Sequence, residues 1–263
     1  MIVTAALCWY NEPPDELAAC VRATATVADR IVAVDGAYRR YPGAKPMSSP
    51  AQVKAIQQAA AQAGLDCVII QRTQPWAGQV EKRSFMMASA ATAADWIMVV
   101  DSDHLVHGDR EAIHRLLERT SEHVVQVGYT YPVNDARPLS DTAATEWAAT
   151  LAGRTDWTPH FYRALPGLRV ERFHWHVSAL VGGERTWLSA SSVDASYPHA
   201  SAAQLPDPFP YYVEHRCLFR TKAKVLGNRA FCNDRVMVVE RTGQEDDVPG
   251  LPAPVFDYKA RLV

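Results

Sequence analysis

The chain has 263 residues, 27 Lys and Arg against 29 Asp and Glu, a formal net charge of -2 and 48% hydrophobic residues. That length buries a full core, and the near-neutral charge gives no global attraction to polyanions, so a nucleic-acid partner is not implied although a nucleic-acid acceptor stays open. No apolar run reaches the ~18 residues of a membrane segment, the start MIVTAALCWYNE lacks a signal-peptide pattern, and the five widely spaced cysteines suggest neither a disulfide framework nor a zinc cluster. A soluble cytoplasmic protein with reduced thiols is expected.

Residues 2–9 read as a strand that breaks at Tyr10-Asn11-Glu12-Pro13-Pro14. Proline suits a helix start and Asp15 and Glu16 suit its positive end, so the stripe Leu17, Cys20, Val21, Val27 and Ala28 predicts a helix over 15–28. RIVAV at 30–34 is a second buried strand ending at Asp35-Gly36. A loop, a helix carrying Val53, Ile56, Ala60 and Ala63, and a strand at 67–70 repeat the unit. The loop with Pro75-Trp76-Ala77-Gly78, a helix over 80–94 and the apolar run Trp96 to Val100 lead into Asp101-Ser102-Asp103. After a cap at Asp109 come a short helix and a strand at 124–131. Residues 132–160 have weak periodicity, with an Ala/Thr-rich, helix-like piece near Glu146-Trp147, and read as a loop region over the site. Residues 161–190 read as β structure with turns at Pro166-Gly167 and Gly182-Gly183, 192–212 as loop, and Tyr212 to Cys232 as a basic helix.

Strands alternating with helices predict an α/β fold, a mostly parallel central sheet flanked by helices. We expect one domain: a nucleotide-binding half (1–131), an acceptor-side and metal-completing half (132–240) and a tail (241–263). Right-handed crossovers bring the strand ends to one rim, where Asp35, Asp101 and the Tyr10-Asn11-Glu12 turn meet. Asp101 and Asp103, two apart on an extended backbone, share a side, and paired carboxylates repel unless a cation lies between them, which suits Mg²⁺ or Mn²⁺. Alone the triplet reads equally as a polar turn. Lys82 and Arg83 sit in a first helical turn, where the dipole disfavours cations and a diphosphate would welcome them. His174 and His176 have period-2 spacing suited to metal ligation, and His215, Arg216, Arg220, Lys222 and Lys224 form a basic stretch suited to phosphate or to solvent.

Taken together, ALCWYNEPPDEL, DRIVAVDGAY, VEKRSFMMASAATAADWIMVVDSDH and HFYRALPGLRVERFHW resemble the successive motifs of nucleotide-sugar glycosyltransferases of the GT-A fold, nearest the family-2 group. The resemblance covers residues 3–104 closely and 160–180 more loosely. It implies a GT-A-type Rossmann-like sheet and a UDP- or GDP-sugar donor. It places Tyr10, Asn11, Glu12 and Asp35 at the nucleoside, Asp103 as the main metal ligand, Asp101 at the ribose or metal, and His174 or His176 as the completing ligand. The usual double acid after the second strand is here a single Asp35, and no acidic doublet supplies a base; Glu146, Asp156 and Glu171 are the candidates. The rivals are a nucleotidyltransferase, for which YNEPPDE lacks a glycine-rich phosphate loop, a non-catalytic nucleotide- or carbohydrate-binding protein, and a zinc hydrolase built on the two histidines.

Overall fold

The computed structural model describes residues 1–39, 41, 44–131, 155–171, 176–189, 198, 200–205 and 210–216. Strand β1 (Val3–Cys8) leads through a proline-bounded turn to helix α1 (Pro14–Thr24), and β2 (Arg30–Val34), α2 (Pro50–Gln62), β3 (Asp66–Ile70), α3 (Gln79–Ala91) and β4 (Trp96–Asp101) continue the alternation. Then follow β5 (His104–Gly108), α4 (Arg110–Arg119), β6 (Val124–Thr130), β7 (Thr155–Arg163), β8 (Arg169–Val170), β9 (Val177–Val181), β10 (Glu184–Ser189), β11 (Ala203–Gln204) and β12 (Tyr211–His215).

The main sheet runs β3-β2-β1-β4-β7-β6-β12-β5, with β11 beside β6, and β8, β9 and β10 form a small antiparallel sheet. β3, β2, β1 and β4 are parallel neighbours, and β7 lies antiparallel between β4 and β6. This is the expected mixed α/β architecture, a mostly parallel sheet flanked by helices.

Alternation within each strand divides the core into two layers. Val3, Ala5 and Leu7 of β1 pack with Leu17 and Val21 of α1, Ile56 of α2 and Ile113 and Leu117 of α4. Ala6 and Cys8 face the other side, with Met86, Met87 and Ala90 of α3 and with Val170, Val177 and Ala179 of the small sheet. Met86 and Met87 are essentially unexposed, and each such side chain contributes about 1.5–3 kcal/mol of transfer free energy. α4 starts where predicted: the Asp109 carboxylate accepts from the Ala112 N–H at 3.0 Å. Cys8, Cys20 and Cys67 are free thiols, and no described helix is long and apolar enough to cross a membrane.

Four segments differ from the sequence reading. His104–Gly108 is a strand, β7 begins at Thr155 and β11 lies at Ala203–Gln204 inside stretches read as loop, and Tyr211–His215 is a strand and not the start of a basic helix. The reason for the last is tertiary. β12 lies between β5, antiparallel, and β6, parallel, so both edges of its backbone are satisfied by ladders from distant segments.

Candidate active site at the strand rim

Register places the candidate residues at one level. Cys8 is opposite both Val34 and Asp101, so the chain leaves β1, β2 and β4 side by side. β6 and β12 point the same way as β4, and β5 starts at this rim, so His104 and His215 meet as a cross-strand pair beside Asp103. Ligand atoms of Asp103, His104 and His215 lie within 4.8 Å of one another. Asp103 is 7% exposed, and its Oδ2 is 3.2 Å from Nε2 of His215. The backbone N–H of Arg216 donates to the carbonyl of Asp103 at 2.7 Å, which ties the end of β12 to the turn after β4.

The two histidines are not equivalent. Nδ1 of His104 accepts from the Asp101 N–H at 3.1 Å, so a neutral His104 carries its proton on Nε2. A cation at Nε2 would have to displace that proton, and one at Nδ1 would break the turn. Nδ1 of His215 has no hydrogen-bond partner among the described residues, so its ring is free of that constraint. The donor set that fits a divalent ion is therefore the Asp103 carboxylate and the His215 imidazole, with His104 adjoining. One oxygen and one nitrogen would suit Mn²⁺ better than Mg²⁺, which takes imidazole less readily.

The first acid of the triplet has a different partner. Oδ1 of Asp101 lies 2.6 Å from Nη2 of Arg83, and the two side chains are 26% and 8% exposed. Burial, the largest influence, disfavours the guanidinium, but the Asp101 carboxylate together with Cys8 and Tyr38 outweighs it, and the pKa of Arg83 is raised. Lys82 is buried too. Its ammonium donates to the carbonyls of Trp9 and Gly36, both at 2.7 Å, and clamps the segments leaving β1 and β2. Burial lowers its pKa. Both cations expected near a diphosphate are thus engaged by the chain itself. Replacing Lys82 by Met should lower stability by about 1–2 kcal/mol in urea denaturation, because two buried carbonyls lose a charged donor while the cost of burying an ammonium disappears. An unchanged midpoint would show that the clamp contributes nothing.

Asp35 is fully buried and its carboxylate is saturated. Oδ1 accepts from the Gly36 N–H and the Ser48 hydroxyl, both at 2.6 Å, and Oδ2 from the Ser48 N–H at 2.7 Å and the Gln71 side-chain amide at 2.8 Å. It organises the loop after β2 through these four hydrogen bonds from the chain itself. The next residue has to be glycine: φ is +111° at Gly36, and a Cβ would lie 2.5 Å from the Pro46 carbonyl oxygen. That loop in turn holds the turn after β1. The Asn11 N–H, at φ +50°, donates to the Ser48 hydroxyl (2.9 Å), and the Tyr10 hydroxyl accepts from the Lys45 N–H (2.9 Å). The Glu12 N–H donates to the Gln52 side chain at 3.1 Å, and Glu12 is 7% exposed.

Of the base candidates, Asp156 stands opposite Tyr129 in the β6–β7 ladder, on the sheet face that carries Tyr129, whose ring lies 5.1 Å from that of His104 and 6.0 Å from that of His215. Glu171 is taken up in the small sheet, where it accepts from Arg169 Nε at 2.9 Å and from the Ser178 hydroxyl. Glu146 and His174 lie outside the described residues. His176 packs edge-on against Trp187 at 5.9 Å and is not a member of the cluster at Asp103. Among the described residues the histidines that reach Asp103 are His104 and His215, because β12 enters the sheet beside β5. Period-2 spacing within one strand is local and carries no information about partners from distant strands. The usable signal was Tyr211-x-Val213-x-His215, an alternation that puts His215 on an apolar strand face. Arg216, read as a phosphate or solvent contact, pairs with Glu16 of α1 at 3.2 Å and with Glu214 at 3.5 Å.

No protein-family model matches the chain, nor does any curated protein sequence. Among solved structures it is similar to a 4-diphosphocytidyl-2C-methyl-D-erythritol synthase from Anaerococcus prevotii, with 8% identity over 62% of this chain and 70% of that one. The TM-score is 0.34, and a likeness of that degree carries no weight in assigning a reaction.

Proposed function

We propose that this chain is a metal-dependent glycosyltransferase that moves a sugar from a nucleoside-diphosphate donor, a UDP- or GDP-sugar, to an acceptor hydroxyl. The observation that supports this reading is the pairing of Asp103 with His215 at the rim of a mostly parallel sheet. Together they would hold Mn²⁺, which supplies positive charge where the departing diphosphate becomes more negative. Arg83 pairs with Asp101, so Asp103 is the acid we assign to the ion. The turn of Tyr10, Asn11 and Glu12, braced by the Asp35 loop, forms the nucleoside side. Asp156 is the carboxylate we assign to the acceptor proton if the anomeric centre is inverted.

A second reading, nucleotidyl transfer from a nucleoside triphosphate to a sugar phosphate, uses the same rim and the same ion. The loop after β1 speaks against it. Three phosphates call for backbone N–H donors there, whereas Pro13 and Pro14 have none and Asp15 and Glu16 occupy the first turn of α1 with negative charge.

Thermal unfolding with UDP, GDP, CMP and dTDP, each with and without Mn²⁺, tests the proposal. We expect a metal-dependent rise in Tm with UDP or GDP; a ligand at a hundred times its Kd stabilises by about 2.7 kcal/mol. Nucleoside-diphosphate release from a sugar-nucleotide panel should follow. Pyrophosphate release from a triphosphate and a sugar phosphate would replace this reading with the second. Binding without turnover in either assay would make the chain a non-catalytic nucleotide-binding protein.

A further inference from the structure

Beneath the Asp103–His215 pair lies a fully buried polar residue with no role in the chemistry above. His160 belongs to β7, at 0% exposure. In the β6–β7 ladder Phe161 pairs with Val125 and Pro159 with Gln126, so His160 is the extra residue of a β-bulge. A bulge re-aims a side chain that regular alternation would send to the other face. Here it directs His160 to the same layer as Phe161, Tyr129 and Tyr211.

Three hydrogen bonds then run in one direction. The Tyr211 hydroxyl donates to the sulfur of Met98 at 3.3 Å. Its oxygen is therefore the acceptor for Nε2 of His160, 2.8 Å away. A neutral ring with its proton on Nε2 has a lone pair on Nδ1, which accepts a hydrogen bond from the Tyr129 hydroxyl at 2.9 Å. Burial, and after it the nearby His104, hold the pKa of His160 well below the ordinary value, in keeping with a neutral ring. The far end is also fixed: a Cβ at Gly108 would overlap the ring of Tyr211. Tyr129 is the member that reaches the site. Its ring meets those of His104 and His215 nearly perpendicularly, at 86° and 85°.

We infer that His160 is a positioning residue for the metal site: through Nδ1 it anchors the Tyr129 hydroxyl, and the Tyr129 ring holds His215 in the orientation that faces Asp103. This rests on the metal-binding reading proposed above. It goes beyond that reading by assigning a role to a residue that touches neither metal nor substrate. Outer partners of metal ligands typically govern affinity by about 10–100-fold.

Two substitutions separate the two nitrogens. Asn places its Oδ1 where Nδ1 stands and keeps the bond to Tyr129; Gln places its amide where Nε2 stands and keeps only the bond to Tyr211. Mn²⁺ affinity, measured by electron paramagnetic resonance of the free ion, should fall less than about threefold in His160→Asn and about tenfold or more in His160→Gln. Tyr129→Phe, which leaves the ring and removes only the hydroxyl, should match His160→Gln. Urea midpoints report whether each variant is folded. Equal affinities in His160→Asn and His160→Gln, or a wild-type affinity in Tyr129→Phe, overturn the inference while the metal site stands. Failure of the wild-type protein to bind Mn²⁺ overturns the metal reading, and this inference with it.

Discussion

Asp103→Asn is expected to abolish Mn²⁺ binding and to lower transfer by at least about a thousandfold while the protein stays folded. The side chain keeps its size, so the turn after β4 keeps its shape; only the negative charge 3.2 Å from His215 is lost. An imidazole alone is a weak site for a hard divalent ion. Asp101 cannot step in, because its carboxylate is committed to Arg83 at 2.6 Å. The two acids of the Asp-x-Asp triplet should therefore differ. Asp101→Asn should retain measurable Mn²⁺ binding and Asp103→Asn should not, with titration calorimetry as the check on binding and nucleoside-diphosphate release as the check on transfer. Turnover near the wild-type rate in Asp103→Asn, at unchanged Mn²⁺ affinity, would sink the metal assignment.

The alternating half of the fold was legible because its signals are local. The stripe of α1, the proline start and the apolar run into Asp101 each lie within one turn or one strand length, and Val3–Cys8 to Trp96–Asp101 forms the expected rim. The other half was not, because its strands are defined by their partners. YYVEH is followed by basic residues and reads equally well as a helix start; only ladders to His104–Gly108 and to Tyr129 make it a strand. The histidine that stands beside Asp103 among the described residues, His215, was hidden for the same reason. His104 and His215 are 111 positions apart in the chain and cross-strand neighbours in the sheet. Asp35 and Lys82 show the complementary case. Strand-end acids and first-turn cations suggest ligand contacts, yet here the carboxylate accepts four hydrogen bonds from the chain and the ammonium donates two to it. Residue type revealed that the rim is polar, and burial decided which polar groups serve the fold.

Arg83→Gln tests how that division is maintained. Removing one partner of a buried ion pair usually costs about 3–5 kcal/mol, and a carboxylate still a quarter exposed lowers the expected loss to about 2–3 kcal/mol. The loss has a specific cause: Asp101 loses its guanidinium partner while it stands close to Asp103. Adding Asp101→Asn should therefore restore most of the stability, since no charge is then left uncompensated. The same reasoning gives a sign for the metal. With Arg83 gone, Asp101 is released to face the ion, so the stabilisation produced by Mn²⁺ should be larger in Arg83→Gln than in the wild-type protein, and it should return toward the wild-type increment in the double variant. Urea denaturation of the three proteins with and without Mn²⁺ measures both effects. A Mn²⁺ increment that is the same in Arg83→Gln as in wild type would mean that Asp101 is too far from the ion to matter. In that case Arg83 holds the end of β4 to α3 and has no part in tuning the charge at the rim.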